Sequence, residues 1–249
     1  MRESRILNAE IKNNSEIAQG VFKLTLLLPA NYPCPAPGQF VCVYLNDESR
    51  LLPRPLSVCD FDDLELTLVY AVVGAGTRMI SGYRNGTLIR VSTPMGNGFV
   101  RSGYKNCILV GGGLGVPPLL YLSNHLSRST QTRVLLGFKS EPFLLNEFRC
   151  PVNVATDDGS VGYRGNVVDL LKKAGVAGDE CIFACGPKPM LRALSDFAEE
   201  HGISLWVSLE ERMGCGFGAC FGCVCKTKGG NRKVCDDGPV FNASEVSWE

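Results

Sequence analysis

The chain has 249 residues, 45% of them hydrophobic and 20% charged. This length and composition suffice for two compact domains or one large one, with enough apolar residues for a core, so disorder is not the default expectation. The 25 basic and 25 acidic residues cancel, and no basic run is interleaved with aromatic residues, so nucleic-acid binding has little electrostatic support.

The apolar segments and the cysteines indicate where in the cell the protein is expected to act. The N-terminus lacks the apolar region and cleavage site of a signal peptide. The longest apolar stretch, residues 107–122, is interrupted by glycines and prolines and is too short to span a bilayer. Of the 12 cysteines, several lie inside apolar strands, as expected for buried thiols in a reducing compartment. We therefore expect a cytoplasmic protein that does not enter a membrane.

Residues 1–100 have the pattern of antiparallel β structure. Short apolar runs alternate with turn residues such as Asn85-Gly86, which is typical of a barrel or a sandwich. One short helix, capped by Thr77, is expected over residues 77–83. Strands are predicted over residues 21–28, 39–45, 55–59, 64–73 and 87–91.

The pattern changes after Gly103, where apolar strands begin to alternate with helices. This alternation predicts a parallel α/β sheet. Strands are predicted over residues 107–110, 133–138, 152–155, 180–184 and 203–209. Helices are predicted from the glycine run 111–115 to about residue 126, over residues 167–173 and over residues 189–201.

The last forty residues are too few to form a core of their own, so they need a metal to hold them together. We therefore divide the chain into three units: a β-barrel over residues 1–102, an α/β domain over residues 103–209, and a small metal-binding domain over residues 210–249.

Two segments of the first unit have the residue types that bind a flavin nucleotide. Arg54 and Ser57, three residues apart and braced by Pro55, offer a fixed cation for a pyrophosphate and a hydroxyl near the flavin ring. Gly74-Ala-Gly-Thr77 is a glycine-rich turn that leads into a helix, a context that favours phosphate binding. An ordinary surface loop and a plain capped turn are the alternative interpretations.

Two glycine turns of the second unit are placed to bind a nucleotide. Gly111–Gly115 follows a strand and opens a helix, although it is not a G-x-G-x-x-G sequence. Cys185-Gly186-Pro187 follows another strand. Because ligands gather at the carboxyl ends of parallel strands, both turns are expected to face one crevice. A tight strand-to-helix turn without a ligand is the alternative.

The most informative stretch lies near the C-terminus. Cys215, Cys220 and Cys223 form a C-x4-C-x2-C run, and Cys235 follows after eleven residues. This is the spacing of a plant-type [2Fe–2S] site, in which each iron takes two thiolates. The glycines of the loop let it fold tightly, with N–H groups directed at the sulfurs.

Other interpretations of this stretch stay open. A zinc site is one, although zinc ribbons usually have two C-x2-C pairs and only Cys220 and Cys223 form one here. Disulfides are another. Cys225 lies outside the pattern and is expected to be a buried thiol, with an exchange of roles with Cys223 as the alternative. Phe217 and Phe221 are expected to cover the cluster, and contact with another subunit is the second interpretation.

Together these motifs resemble the ferredoxin-reductase superfamily, and within it the electron-transfer subunits of NAD-dependent dihydroorotate dehydrogenase B. The resemblance covers essentially the whole chain, and Asp237–Phe241 contributes to it. One departure is Ala71, where the family often has an arginine, so Ala71 is included for its backbone alone. The residues that the resemblance assigns to flavin or nicotinamide are Arg54, Pro55, Leu56, Ser57, Val69, Tyr70, Ala71, Gly76, Thr77, Gly112, Gly113, Cys185, Gly186 and Pro187. The residues it assigns to the iron–sulfur cluster are Cys215, Cys220, Cys223 and Cys235.

The resemblance also implies a function and a partner. An FMN-containing catalytic subunit would oxidise dihydroorotate to orotate in pyrimidine biosynthesis. Electrons would pass through [2Fe–2S] and FAD on this chain to NAD, since a flavin exchanges both single electrons and hydride. The family assembly is a heterotetramer of two catalytic and two electron-transfer subunits, and no residue of this chain need act as acid or base.

Two other functions compete with this one. One is a related subunit that passes electrons between NAD(P)H and ferredoxin, sulfide or another flavoprotein on the same scaffold. The other is a module without enzymatic activity, held together by zinc, that only binds a partner.

Overall fold

The computed structural model describes residues 5–99 and 104–248. Its first part is a closed antiparallel barrel with the strand order β1-β2-β5-β4-β3-β6. A short helix, α1 (Ala75–Ser81), connects β5 to β6. The barrel strands are β1 (Ile6–Ala18), β2 (Val21–Leu27), β3 (Phe40–Tyr44), β4 (Arg54–Asp62), β5 (Glu65–Ala71) and β6 (Leu88–Ser92).

The barrel follows from alternation along its strands. In β3, Val41 and Val43 lie in the barrel core, whereas Phe40 and Cys42 belong to a second core that reaches the C-terminal segment. Because successive side chains of a strand point to opposite faces, β3 contributes residues to both cores. β1, which the sequence prediction omits, has only Ala9, Ile11 and Ala18 as buried apolar residues.

The second part is a seven-stranded sheet with the order β10-β9-β8-β7-β11-β12-β15. Its first six strands are parallel, and β15 adds at the edge in the antiparallel direction. The strands are β7 (Asn106–Gly112), β8 (Gln131–Phe138), β9 (Val152–Thr156), β10 (Tyr163–Arg164), β11 (Glu180–Cys185), β12 (Ser204–Ser208) and β15 (Val240–Asn242). The helices are α2 (Val116–His125), α3 (Val167–Ala174) and α4 (Lys188–His201).

The third part contains one hairpin, β13 (Val224–Thr227) with β14 (Gly230–Lys233), and the loop of residues 210–223 before it. Its last strand, β15, belongs to the parallel sheet, so the C-terminal segment and the α/β unit share a sheet. The predicted fold class, a β-barrel followed by a parallel α/β unit and a small C-terminal unit, is confirmed.

The start of α1 differs from the sequence prediction. The boundary predicted between residues 102 and 103 lies outside the described residues. The predicted cap of α1 is wrong: the helix begins two residues earlier than expected, and its N-cap is Gly74. Thr77 lies one turn inside the helix, and its hydroxyl accepts hydrogen bonds from the N–H groups of Val73 and Gly74, at 3.0 and 3.2 Å.

Within the described residues, no helix is long and apolar enough to cross a membrane.

Candidate cofactor sites

The four cysteines near the C-terminus form two neighbouring pairs. The Cys220 N–H donates to Sγ of Cys215, and the Cys235 N–H donates to Sγ of Cys223, each at 3.4 Å. Within residues 5–99 and 104–248, no three His, Cys, Asp or Glu side chains are grouped to hold one metal ion. Two thiol pairs fit a pair of irons that each take two protein sulfurs.

The loop directs backbone donors at these sulfurs. The Gly218 N–H donates to Sγ of Cys235 at 3.1 Å, and the Gly222 N–H donates to Sγ of Cys220 at 3.4 Å. Gly216 and Gly218 have φ values of +83° and +85°, a region that side chains other than glycine rarely adopt. The glycines thus permit the turn that brings N–H groups to the sulfurs, and such contacts tune an iron–sulfur centre.

The thiols differ in how readily they ionise. Burial raises the pKa of Cys215, but backbone N–H donors from Cys220 and Phe217 outweigh it and bring the pKa to about 7. Burial raises the pKa of Cys235 to about 12. Because the thiolate is the metal ligand, binding must release the Cys235 proton.

Cys225 takes no part in the N–H···S hydrogen bonds that define the two pairs. It is a buried residue of β13, where its register partner is Arg232. Burial raises the pKa of its thiol, followed by the charge of Glu211. Cys223, in contrast, contacts Cys235 directly. This geometry supports Cys223 as the ligand and Cys225 as a buried thiol.

Lys233 connects the hairpin to the cysteine loop, a contact that the sequence analysis does not include. Its Nζ donates to the Gly218 carbonyl at 3.2 Å and lies 5.3 Å from the centroid of the Phe221 ring. It also pairs with Asp236 at 2.8 Å. The one available sequence signal is that Lys233 lies two residues before Cys235, where it has to be close to the loop.

The aromatic rings of the loop face outward. Phe217 is 59% exposed and Phe221 is 66% exposed. Phe221 also adopts a φ of +57°, which is unusual for a bulky residue. Rings this exposed cover little, so their placement favours contact with another subunit over cover for the cysteines.

Arg54, the first residue of β4, reaches across to α1. A Cβ atom at Gly76 would overlap the Arg54 guanidinium, so the absence of a side chain at Gly76 makes room for the cation. Arg54 also donates to the Leu52 carbonyl. The predicted arginine and the predicted glycine turn therefore meet, and the cation lies over the first turn of a helix, an arrangement that suits a phosphate.

The strand residues of the predicted flavin site divide between two faces. Pro55 and Ser57 are opposite Cys42 and Phe40 in β3, on the outer face of the barrel. The Tyr70 side chain lies in the barrel core, where its hydroxyl donates to Oδ1 of Asn14 at 3.0 Å. Leu56 also packs against the barrel core.

Val69 is buried on the side of β5 that faces the α/β unit, and Ala71 is paired with Val21. Tyr70 and Ala71 can thus offer a cofactor their backbone, whereas Arg54, Pro55 and Ser57 can offer side chains.

The two glycine turns of the α/β unit touch each other. A Cβ at Gly112 would lie 2.9 Å from Cδ of Pro187, and a Cβ at Gly186 would lie 3.0 Å from the Gly112 nitrogen. Gly113, with a φ of +53°, starts the single turn before α2. Both turns end adjacent parallel strands, β7 and β11. The chain runs outward from β7 to β8 and from β11 to β12, so this is the point where the strand order reverses and ligands bind.

The thiol of Cys185 lies beneath this crevice. It is fully buried, and burial, followed by the charge of Glu210, raises its pKa, so the thiol is neutral at physiological pH. Glu210 keeps an exposed surface, but the protein around its carboxyl group displaces water from it, and this desolvation raises the pKa of Glu210.

Comparisons with known proteins agree with this arrangement. A family model described as the iron–sulfur cluster binding domain of dihydroorotate dehydrogenase B matches residues 210–247. The electron transfer subunit of dihydroorotate dehydrogenase B (NAD(+)) from Caldanaerobacter subterraneus subsp. tengcongensis is 37% identical over 246 residues, covering 96% of this chain and 98% of the relative. The corresponding subunit from Bacillus caldolyticus is 42% identical over 244 residues, covering 92% and 94%.

A solved structure gives the same picture. It is described as that of the NADH-dependent reduced ferredoxin-NADP oxidoreductase, and one of its chains superposes with a TM-score of 0.88 at 31% identity, covering 96% of this chain and 90% of that chain. Fold and site define a flavin- and nicotinamide-linked oxidoreductase of the ferredoxin-reductase type with an iron–sulfur segment. Within that class, the chain belongs to the family of electron transfer subunits of dihydroorotate dehydrogenase B (NAD(+)).

Proposed function

We propose that this chain passes electrons from dihydroorotate, oxidised on a separate catalytic subunit, to NAD in the cytoplasmic synthesis of pyrimidines. The observation that carries the proposal is the position of the two thiol pairs. Three of the four cysteines lie on the loop of residues 210–223, and Cys235 contacts Cys223 of that loop. Gly216 of the same loop packs against β3, and β3 pairs with the strand that holds Arg54 and Ser57. The three-unit division at residues 102 and 209 belongs to the same proposal.

Each cofactor has a set of residues suited to it. Cys215, Cys220, Cys223 and Cys235 would hold [2Fe–2S], because they supply two thiol pairs and nearby N–H donors. Arg54 and the turn at Gly76 and Thr77 would hold the FAD phosphates, with Pro55 and Ser57 beside the ring. Gly112, Gly113 and Gly186 would border NAD with their backbone, because the absence of side chains at Gly112 and Gly186 lets the two turns touch. When bound, a flavin links single-electron carriers to hydride acceptors, which is the chemistry this function requires.

The chain itself contributes position and environment. Arg54 supplies a fixed cation, and the glycine turns permit close approach of backbone to phosphate. The neutral, buried thiol of Cys185 adds no charge beneath the crevice. None of these roles needs proton transfer by a side chain, so no residue is assigned as acid or base.

The partner would be an FMN-containing catalytic subunit, in a heterotetramer of two catalytic and two electron-transfer subunits. The exposed rings of Phe217 and Phe221 support a partner subunit, because both are apolar side chains on the loop that carries Cys215, Cys220 and Cys223. Aromatic residues are enriched in the cores of protein interfaces.

Reconstitution tests the proposal. The purified chain, loaded with FAD and iron–sulfur, is mixed with the catalytic subunit under anaerobic conditions, and NADH formation is followed at 340 nm after dihydroorotate is added. We expect NADH formation that requires both subunits. A mixture in which both subunits carry their cofactors and dihydroorotate is oxidised without NAD reduction would contradict it.

A second candidate function rests on the structural neighbour named above, an oxidoreductase of NADH, ferredoxin and NADP by its printed description. On this alternative the same scaffold would pass electrons between NAD(P)H and ferredoxin or another flavoprotein. NADPH- or NADH-dependent reduction of ferredoxin by the chain, with no response to dihydroorotate and the catalytic subunit, would favour this candidate.

A further inference from the structure

The cysteine loop rests on the barrel at one thiol. Cys42 is fully buried in β3, and a Cβ atom at Gly216 would lie 2.8 Å from its sulfur and 3.1 Å from Cε of Met95. There is no room for even a methyl group between the loop and the barrel at this point. Gly216 is the neighbour of Cys215 in the sequence, so the position of Cys42 limits where the Cys215 sulfur can lie.

The same thiol is next to the predicted flavin motif. Cys42 is the register partner of Pro55, and its N–H donates to Oγ of Ser92 on the other side of β3, at 2.9 Å. Cys42 and Pro55 therefore form a pair without mutual hydrogen bonds, in which opposite Cα atoms approach to about 4.5 Å. Proline lacks an N–H, so this pairing leaves no donor unsatisfied.

Both side chains project from one face of the sheet. Directly opposite residues in an antiparallel pair share a face, and Cys42 belongs to the core that also contains Cys223 and Cys235. A series of neighbours, Cys215, Gly216, Cys42 and Pro55, thus joins the cysteine loop to the flavin motif across two strands.

We propose that Cys42 is a positioning residue for electron transfer: its small side chain fixes the loop sulfur of Cys215 relative to Pro55 and sets the environment of that sulfur. This inference rests on the proposed function. Cys42 forms no bond and neither gains nor loses an electron. It acts through contact and polarity, which are among the factors that set the potential of an iron–sulfur centre.

The chain offers a matched control. Cys59 in β4 is also a fully buried barrel thiol, but it belongs to the core shared with Val69 and the α/β unit. Replacement of Cys59 by serine therefore makes the same chemical change in the same barrel, away from the loop.

The test compares the holoproteins of wild type, Cys42→Ser, Cys42→Ala and Cys59→Ser. Iron and FAD content, the EPR spectrum of the reduced protein, and midpoint potentials from anaerobic redox titration are measured. A hydroxyl is a stronger donor than a thiol, so Cys42→Ser should raise the iron–sulfur potential. We expect the ratio of reduced to oxidised iron–sulfur centres at a fixed potential to change tenfold, which for one electron corresponds to a shift of the midpoint potential by about 59 mV. The flavin potential should be unchanged.

Cys42→Ala should alter the EPR line shape, because the loop loses its contact, and Cys59→Ser should match wild type. Loss of iron from both Cys42 variants, with Cys59→Ser intact, would equally support the role. Wild-type potential and line shape in both Cys42 variants, at full iron content, would overturn it. Wild-type protein without an iron–sulfur signal would instead remove the proposed function and this inference with it, so the two failures are distinguishable.

Discussion

Asn97 and Val240 exchange two hydrogen bonds across 143 positions of sequence. The Val240 N–H donates to Oδ1 of Asn97 at 2.9 Å, and Nδ2 of Asn97 donates to the Val240 carbonyl at 2.8 Å and to the Asp237 carbonyl at 3.1 Å. Asn97 follows the last barrel strand, and Val240 begins β15 at the edge of the parallel sheet. One amide therefore joins the barrel to the segment that follows the last predicted metal ligand.

Replacement of Asn97 by aspartate tests this joint. A carboxylate still accepts from the Val240 N–H but cannot donate to the two carbonyls. Each lost bond is worth about 1 kcal/mol and an unsatisfied buried carbonyl costs more, so we expect about 2 kcal/mol of destabilisation, measured as a lower thermal midpoint and faster loss of iron on dilution. Asn13→Ala, which removes a local bond to Ser15 on the barrel surface, is the control. Equal midpoints for both variants would show that the joint does not contribute.

Replacement of Cys220 by serine should abolish the iron–sulfur centre. The variant leaves Cys215 without its thiol partner, and because metal binding and folding of residues 210–249 are coupled, this segment should also become more sensitive to proteolysis. Iron content and the visible absorption spectrum measure the effect. Cys225→Ser, a change in the same segment outside the two pairs, should keep wild-type iron. Full iron in Cys220→Ser, or its loss from Cys225→Ser, would overturn the ligand assignment.

Replacement of Arg54 by alanine should weaken FAD retention. The variant removes the cation that lies over Gly76, and a charged hydrogen bond of this kind is worth about 1.5–3 kcal/mol, which corresponds to roughly a 10- to 150-fold loss of affinity. FAD occupancy after dialysis is the measurement. Arg50→Ala is the control, since Arg50 lies in the same loop and pairs with Asp47 at 3.3 Å. Unchanged occupancy in Arg54→Ala would exclude the phosphate role.

Replacement of Lys233 by methionine should loosen the cysteine loop. Methionine keeps the apolar stem but loses the hydrogen bond to Gly218, the cation–π contact with Phe221 and the ion pair with Asp236. Since these contacts hold the loop against the hairpin, iron release to a chelator should be several-fold faster. Lys228→Met, at the turn of the same hairpin, is the control. Identical release rates from the two variants would show that Lys233 does not hold the loop in place.

Alkylation tests the burial of Cys185. Its raised pKa and complete burial keep the thiol neutral and inaccessible, and the thiolate is the reactive form. In the folded protein at pH 8, mass spectrometry after iodoacetamide should find exposed Cys34 modified and Cys185 intact. Unfolding should make both equally reactive. Rapid modification of Cys185 in the folded state would mean that the crevice opens to solvent.

The sequence predicts those parts of the fold that depend on the spacing of apolar residues within single strands and helices. The change from strands alone to alternating strands and helices is visible near Gly103, and the C-x4-C-x2-C run predicts neighbouring thiols from spacing alone. β1 was missed, because its exposed outer face carries the polar residues that usually mark loops.

The remaining features depend on long-range contacts that no local pattern encodes. Gly76 gives no sign in the sequence that it makes room for Arg54, and Cys42 looks like any small buried residue until its contact with Gly216 is known. The sequence does not predict β15 either. Its three residues are too few to show the alternation of a strand, and its partner β12 lies more than thirty positions earlier.

The central claim is that flavin and iron–sulfur share one electron path on this chain, and an anaerobic titration of the holoprotein with NADH tests it most directly. Absorption near 450 nm and EPR at low temperature are followed together. We expect the flavin to bleach and a reduced [2Fe–2S] signal to appear as NADH is added. Bleaching of the flavin without any iron–sulfur signal, even after chemical reduction, or protein that contains zinc in place of iron, would contradict it.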